Sequence, residues 1–264
     1  MTSDIITSTQ NPRIKRIVAL QEKSAERRRQ KKFVVEGRRE LGHCIGAGFE
    51  VETLFICPDI CTEADSLRNK CPEAECLEVS AHVYNKIAYH SGTEGVVAVV
   101  KTKIRTLENL ELTENPLIVV LESIEKPGNL GAILRTADAA KADAVIICDE
   151  RTDLFNPNLI RSAMGGLFTV PTISCSSETC IRFLKSHGIQ ILTAQLQDSS
   201  PYYSTDMCQP TALIMGTEST GLTDIWRKAA DAHIRIPMRG NLDSLNVSVS
   251  AAILLFEAVR QREA

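Results

Sequence analysis

Three polar, glycine-bearing segments hold the residues whose types and spacing could do chemistry. They are Glu125-Lys-Pro-Gly-Asn-Leu-Gly-Ala-Ile-Leu-Arg135, Gly216-Thr-Glu-Ser-Thr-Gly221 and the stretch from Ile236 to Asn246. Each follows a short apolar run that reads as a strand. Loops at the carboxyl ends of parallel strands converge on a ligand crevice, so three of them can build one site. Ser244, Asn246 and Ser248 crowd the start of a helix, where free backbone N–H groups need a partner or a ligand. The patterns do not fit two common nucleotide sites. Gly128-x-x-Gly131 lacks the full GxGxxG pattern, and Gly216-x4-Gly221 is not followed by Lys and Ser or Thr as a P-loop requires. Residue types alone therefore describe a site of three glycine loops, or else ordinary turn chemistry at three places.

The elements that must position these loops follow from periodicity. Val247, Ala251, Leu254, Leu255 and Ala258 recur at 0, 4, 7, 8 and 11, a helical stripe facing a core. From Pro116 onward, apolar strands alternate with helices. The strands are 117–121, 144–148, 189–193, 211–215 and 233–236. The helices are 130–140, 158–164, 178–186, 225–230 and 245–262. Continuous apolar strands between helices predict a mostly parallel sheet covered on both faces. Before it, helices are predicted over 12–29, 37–45, 63–70 and 81–89, with strands over 33–35, 51–57 and 94–100. The expected architecture is an α/β chain: an α/β sandwich over 1–104, a polar linker over 105–115 and a mostly parallel α/β domain over 116–264.

Composition narrows the class. The chain has 264 residues, 44% hydrophobic and 24% charged, as in a globular protein. No apolar run reaches the roughly 18–20 residues of a membrane span, and the N-terminus lacks a signal-peptide apolar region. The expectation is a cytoplasmic protein with no membrane partner. The net charge of −3 hides an asymmetry: residues 1–40 carry eleven Lys or Arg against five Asp or Glu, and the remainder nineteen against twenty-eight. Arg13, Arg27, Arg28, Arg29, Lys31, Lys32 and Arg38 form the candidate phosphate-binding set, with a solvated helix face as the alternative. Aromatics other than Phe33 are missing there, which favours backbone contact over base stacking. Of nine cysteines, Cys57, Cys61, Cys71 and Cys76 approach a zinc spacing without matching it. They read as reduced thiols, and no metal is expected.

Taken together, Pro127–Asp138, Leu213–Leu222 and Ile236–Met238 with Ser244–Val249 resemble motifs one, two and three of the SpoU (TrmH-like) branch of the SPOUT RNA methyltransferases. Phe33-Val-Val-Glu-Gly37 and Glu94-Gly-Val-Val-Ala98 resemble, more loosely, the L30e-like RNA-binding domain often fused in front. The resemblance implies a parallel α/β fold with a C-terminal trefoil knot, S-adenosylmethionine as cofactor, a homodimer, and methyl transfer to a ribose 2′-hydroxyl of structured RNA rather than DNA. The extra N-terminal domain points to rRNA rather than tRNA.

It also implies roles for residues. Asn129, Arg135, Glu218, Ser244 and Asn246 would be catalytic, with Ser244 and Asn246 positioning Arg135. A permanently charged Arg135 suits phosphate holding and alkoxide stabilisation better than proton abstraction. Met215, Gly216, Thr217, Gly221, Ile236, Met238, Ser244 and Leu245 would contact the cofactor, with Gly216 letting the backbone approach it closely. Lys141 stands at a helix end where the branch often has Gly, a position favouring positive φ. The competing readings are a tRNA enzyme, a resistance methyltransferase of the same fold, and a non-catalytic RNA-binding or ribosome-assembly protein.

Overall fold

The computed structural model of the chain describes residues 5–89, 94–217 and 220–264. It divides into two compact units, one of residues 1–103 with 153–165, the other of residues 104–152 with 166–264. In the first unit, α1 (Pro12–Glu22), α2 (Ser24–Gln30), β1 (Lys32–Glu36), α3 (Arg38–Gly46), β2 (Val51–Ile56), α4 (Ala64–Lys70), β3 (Glu75–Glu78), α5 (Ala81–Ile87) and β4 (Val96–Lys101) follow in order. The four strands form a sheet ordered β1-β4-β2-β3, with β4 antiparallel to both neighbours and β3 parallel to β2. Ile14, Ile17 and Leu20 of α1 and Val83, Tyr84 and Ile87 of α5 cover one sheet face against Val34, Phe55, Val97 and Val99.

The single helix predicted over 12–29 is instead two helices. Lys23 is extended, with φ −117°, and ends α1. The reason is Arg27, expected on the RNA-facing surface but buried, with only 3% exposure. Its guanidinium turns back to donate to the carbonyls of Leu20 and Gln21 at 2.6 and 3.0 Å, which are acceptors in the last turn of α1. Its Nε donates to Asp153 at 2.7 Å. Arg27 is therefore a structural cap, and its place in the phosphate-binding set is withdrawn. Phe155, next to this pair, stacks on Phe33 with centroids 4.4 Å apart.

The second unit runs β5 (Leu117–Glu122), α6 (Pro127–Ala139) and β6 (Ala144–Cys148). After α7 (Pro157–Ala163), which belongs to the first unit, it continues with α8 (Gly166–Thr169), β7 (Thr172–Cys175), α9 (Ser177–Ser186), β8 (Gln190–Ala194) and β9 (Ser200–Pro201). It ends with β10 (Thr211–Met215), α10 (Asp224–Ala229), β11 (Ala232–Arg235) and α11 (Val247–Arg262). Its seven strands are ordered β7-β6-β5-β10-β8-β11-β9, and every pairing is parallel. β5, β6 and β10 are buried along their whole length, as continuous apolar runs require. The chain builds outward from β5 to β6 and β7, then returns on the other side of β5. The sheet therefore reverses between β5 and β10, a topological switch point.

Local chemistry sets the element ends. α6 begins three residues before the predicted start because Pro127 fits the first helical position. Asn246 caps α11, accepting from the Ser248 N–H at 3.0 Å, and the predicted apolar stripe of that helix is buried. Lys141 adopts φ +53°, the left-handed helix-end conformation expected there, at a cost of about 1–2 kcal/mol relative to glycine. Among the described residues, no helix is long and apolar enough to cross a membrane. The Cys57, Cys61, Cys71 and Cys76 thiols are not gathered into a ligand group among the described residues, and burial raises those of Cys57, Cys71 and Cys76.

Arg27→Ala should lower stability by about 3–5 kcal/mol, because it strands Asp153 and two helix-end carbonyls. Urea denaturation of the variant and parent measures this; a loss under 1 kcal/mol would return Arg27 to the surface set.

Candidate functional site

The three chemical loops follow β5, β10 and β11, so all emerge at the carboxyl edge of one parallel sheet. The second loop is the tightest. Thr217 and Gly221 exchange backbone hydrogen bonds of 3.2 and 3.1 Å. The Thr217 hydroxyl accepts from the Thr220 N–H at 3.0 Å. Gly221 adopts φ +68°. A Cβ on Gly216 would lie 2.3 Å from the Gly221 carbonyl carbon. Gly216 thus permits a close approach of the loop to itself, where the sequence suggested an approach to ligand. Glu218, between these glycines, lies outside the described residues.

A residue that motif reasoning missed ties this loop to the first strand. Glu122 ends β5 and is buried. Its carboxylate accepts from the Thr223 N–H at 2.8 Å and from the Thr223 hydroxyl at 2.5 Å. Thr223 is the N-cap of α10, so the exit of the second loop is pinned to the start of the first. A carboxylate closing the otherwise apolar run Leu117–Leu121 was the available signal.

The first and third loops meet through side chains. Asn246 Nδ2 donates to Asn129 Oδ1 at 3.2 Å, while Asn246 Oδ1 also accepts from the Ser248 hydroxyl at 2.6 Å. Ser244 donates to Asp243 at 3.0 Å. Arg135 lies exposed on α6 and makes no hydrogen bond or ion pair with any described residue. The expected grip of Ser244 and Asn246 on Arg135 is therefore not formed in this structure. What places Arg135 is its backbone: α8 crosses α6 so closely that a Cβ on Gly166 would lie 2.9 Å from the Leu134 carbonyl and 3.1 Å from the Arg135 nitrogen.

Beside the Asn129–Asn246 link lies a cavity of about 680 Å³. Met215, Gly216, Thr217, Gly221, Ile236, Met238, Ser244 and Leu245, the eight residues expected at a cofactor, all line it. Lys126, Gln195, Arg227 and Asn246 line it too, whereas Asn129 and Arg135 do not. Gln195 Oε1 and Arg227 Nε are buried and have no hydrogen-bond partner among the described residues. A cavity of this size, lined by both apolar and polar side chains, suits a drug-sized ligand with both apolar and polar parts.

In the first unit the basic residues differ in availability. Arg13 pairs with Glu75, Lys32 with Glu52, and Arg38 with Glu63 and Glu94. Arg29 pairs with Glu26 one turn away on the surface. Of the expected set, Arg28 and Lys31 are exposed and form no ion pair among the described residues.

Fold and site together define a parallel α/β domain with a cavity at the carboxyl ends of its strands, preceded in sequence by a smaller α/β unit. Residues 116–256 match the SpoU rRNA Methylase family, and residues 11–98 match the MRM3-like substrate binding domain. Over 181 residues the chain is 37% identical to the 23S rRNA (guanosine-2'-O-)-methyltransferase RlmB of Vibrio parahaemolyticus, covering 66% of this chain and 73% of that one. It is 27% identical over 251 residues to the 23S rRNA (guanosine(2553)-2'-O)-methyltransferase RlmP of Bacillus subtilis, covering 95% and 97%. The crystal structure of an AdoMet-bound rRNA methyltransferase from Sinorhizobium meliloti is 32% identical, with a TM-score of 0.90 over 97% of each chain. The chain belongs to the SpoU rRNA methylase family.

Gly216→Ala should weaken S-adenosylmethionine binding at least tenfold, because the added methyl forces the second loop open. Gly128→Ala, where a Cβ meets nothing within 4 Å, should leave it unchanged. Titration calorimetry compares the two; equal affinities would mean that the loop closure does not shape the cavity.

Proposed function

We propose that this chain is an S-adenosylmethionine-dependent methyltransferase acting on a ribose 2′-hydroxyl of 23S rRNA. The observation that carries the reading is the convergence of the loops after β5, β10 and β11 on one cavity, with Arg135 exposed on the helix that the first loop opens. The names of the RlmB and RlmP relatives support 23S rRNA and a 2′-O-methyl product. The match of the first unit to a substrate-binding domain supports rRNA over tRNA.

The cavity suits the cofactor. Ile236, Met238 and Leu245 offer apolar surface, and Thr217, Ser244 and Asn246 offer polar groups beside it. Bound S-adenosylmethionine supplies a methyl group on a sulfonium, already a good leaving group. The chain then has to orient a hydroxyl and stabilise the charge that develops on it. Arg135 does this with a guanidinium that stays charged, holding the target phosphate and the developing alkoxide. Asn129 and Asn246 lock the starts of α6 and α11 together and keep the first and third loops in register. The motif assigns Glu218 to the same centre.

The reading extends to assembly. The last segment threads as the family's trefoil knot, and two chains form the active unit. Val249 and Phe256 are 47% and 48% exposed, seven residues apart on α11, and face the partner. The site of action is the cytoplasm, where ribosomal RNA is processed, with RNA rather than DNA as substrate.

Transfer of labelled methyl from S-adenosylmethionine into unmodified 23S rRNA should give one alkali-resistant site. Arg135→Ala should reduce turnover by about 10²–10³-fold with cofactor affinity changed less than twofold. Label absent from 23S rRNA and present in tRNA would overturn the substrate; a matching loss of cofactor binding would move Arg135 into the cavity. Light scattering should read twice the 29.0 kDa chain mass, and a Phe256→Glu variant should read a single chain; a monomeric, active parent would remove the dimer.

A further inference from the structure

Three cysteines that take no part in methyl transfer converge from three separate elements of the second unit. Cys148 ends β6 and Cys175 ends β7, and the two residues are register partners across the parallel ladder. Cys180 lies in the first turns of α9, which begins just after β7. Their Sγ atoms all lie within 4.8 Å of one another. Cys148 and Cys180 are fully buried, and Cys175 is partly exposed. None of the three lines the cofactor cavity.

Buried cysteines in reduced proteins are ordinarily small hydrophobes scattered through a core. Convergence is a stronger condition. Register places two sulfurs on one face of adjacent strands, and α9 must cross at the right height to bring the third. Sulfur donors select soft or borderline cations and exclude magnesium and calcium. Zinc–sulfur bonds of about 2.3 Å place tetrahedral sulfurs about 3.8 Å apart, so the three need to close by no more than about 1 Å. That is within reach of small side-chain rotations. Charge discriminates among soft ions: three thiolates leave −1 with a divalent cation and −2 with a monovalent one. The surrounding core of Ile146, Ile173, Leu184 and Trp226 favours the smaller residual charge.

We propose that Cys148, Cys175 and Cys180 form a three-thiolate site for a single zinc-like divalent cation, separate from the methyl-transfer site. Binding forms three metal–sulfur bonds and releases to solvent every proton the thiols still carry. The partly exposed side of Cys175 is the route of approach, and a water completes the coordination from there. The bound ion would tie together the ends of β6, β7 and α9, acting as a structural clamp on the sheet edge.

The chain carries its own reporter. Trp226 is the sole tryptophan and is fully buried. Its Nε1 donates to the Ser177 hydroxyl at 3.0 Å, and that hydroxyl donates to Asp149 at 2.6 Å. Ser177 opens the helix that holds Cys180, and Asp149 follows Cys148. Loading the cluster should therefore change Trp226 emission.

The experiment is titration of the full-length, reduced, chelator-treated protein with Zn²⁺ and, separately, with Co²⁺. The expected result is one metal per chain, a thiolate-to-cobalt charge-transfer absorption and a saturable change in Trp226 emission at the same stoichiometry. Cys180→Ser should weaken Zn²⁺ binding by at least 100-fold. Cys175→Ser, at the partly exposed position, gives the same test if the core variant fails to fold. Cys76→Ser and Cys208→Ser should bind as the parent does. The proposal is overturned if the folded parent takes up no zinc, if the Cys175 and Cys180 variants bind like the parent, or if air oxidation removes two thiols from the trio while reduced protein stays metal-free. That last outcome would make the cluster a dithiol pair instead.

Discussion

The parallel pairing of β5 with β10 is the constraint on which the site depends. Its register runs from Thr211 opposite Leu117 to Met215 opposite Leu121, so the two strands end level with one another. The loops that follow must then turn away from the same edge, one into α6 and the other into the Gly216–Gly221 closure. The cavity opens beside this seam, lined by the segments that follow β8, β10 and β11, with Lys126 of the first loop at its side. Glu122 draws on the same geometry. Placed at the end of β5, its carboxylate reaches the N-cap of α10, beyond the second loop, and fixes that loop without occupying the cavity.

The two motif residues nearest the expected chemistry are held in different ways. Asn129 is fixed through its side chain by Asn246, joining the first turns of two helices. Arg135 is fixed through its backbone, by the close passage of Gly166, while its guanidinium stays unpaired among the described residues. A charge held in this way incurs no cost of breaking an internal ion pair when an anionic substrate arrives. It remains free to change rotamer, as the role proposed for it toward a phosphate and a developing oxyanion requires.

Much of the fold was legible because its signals are local. The buried runs at 117–121, 144–148 and 211–215, and the stripe through Val247, Ala251, Leu254, Leu255 and Ala258, reflect burial that depends on few long-range details. The short strands were not legible. β7 follows Pro171 at the edge of its sheet, and β3 spans four residues of which none is buried, so neither has a clear alternating pattern. Side-chain roles failed where the partner was distant in sequence. Arg27 reads as surface charge beside Arg28 and Arg29, because nothing local announces Asp153 more than a hundred residues later. Glu122 was overlooked for the same reason: its partner Thr223 is equally remote. The cavity-lining residues were found through motif resemblance, since a glycine loop on its own could equally be a turn.

The excursion at 153–165 has a consequence for how the chain is made. The first unit is discontinuous in sequence: Asp153 satisfies Arg27, and Phe155 covers Phe33, only after β5, α6 and β6 have been synthesised. Emerging from the ribosome, residues 1–103 would carry a buried arginine with no counter-ion and a core aromatic without its lid. Domains commonly complete themselves in order from the N-terminus. Here the N-terminal unit must wait for part of its neighbour, so the two halves of the protein mature as a coupled pair during translation.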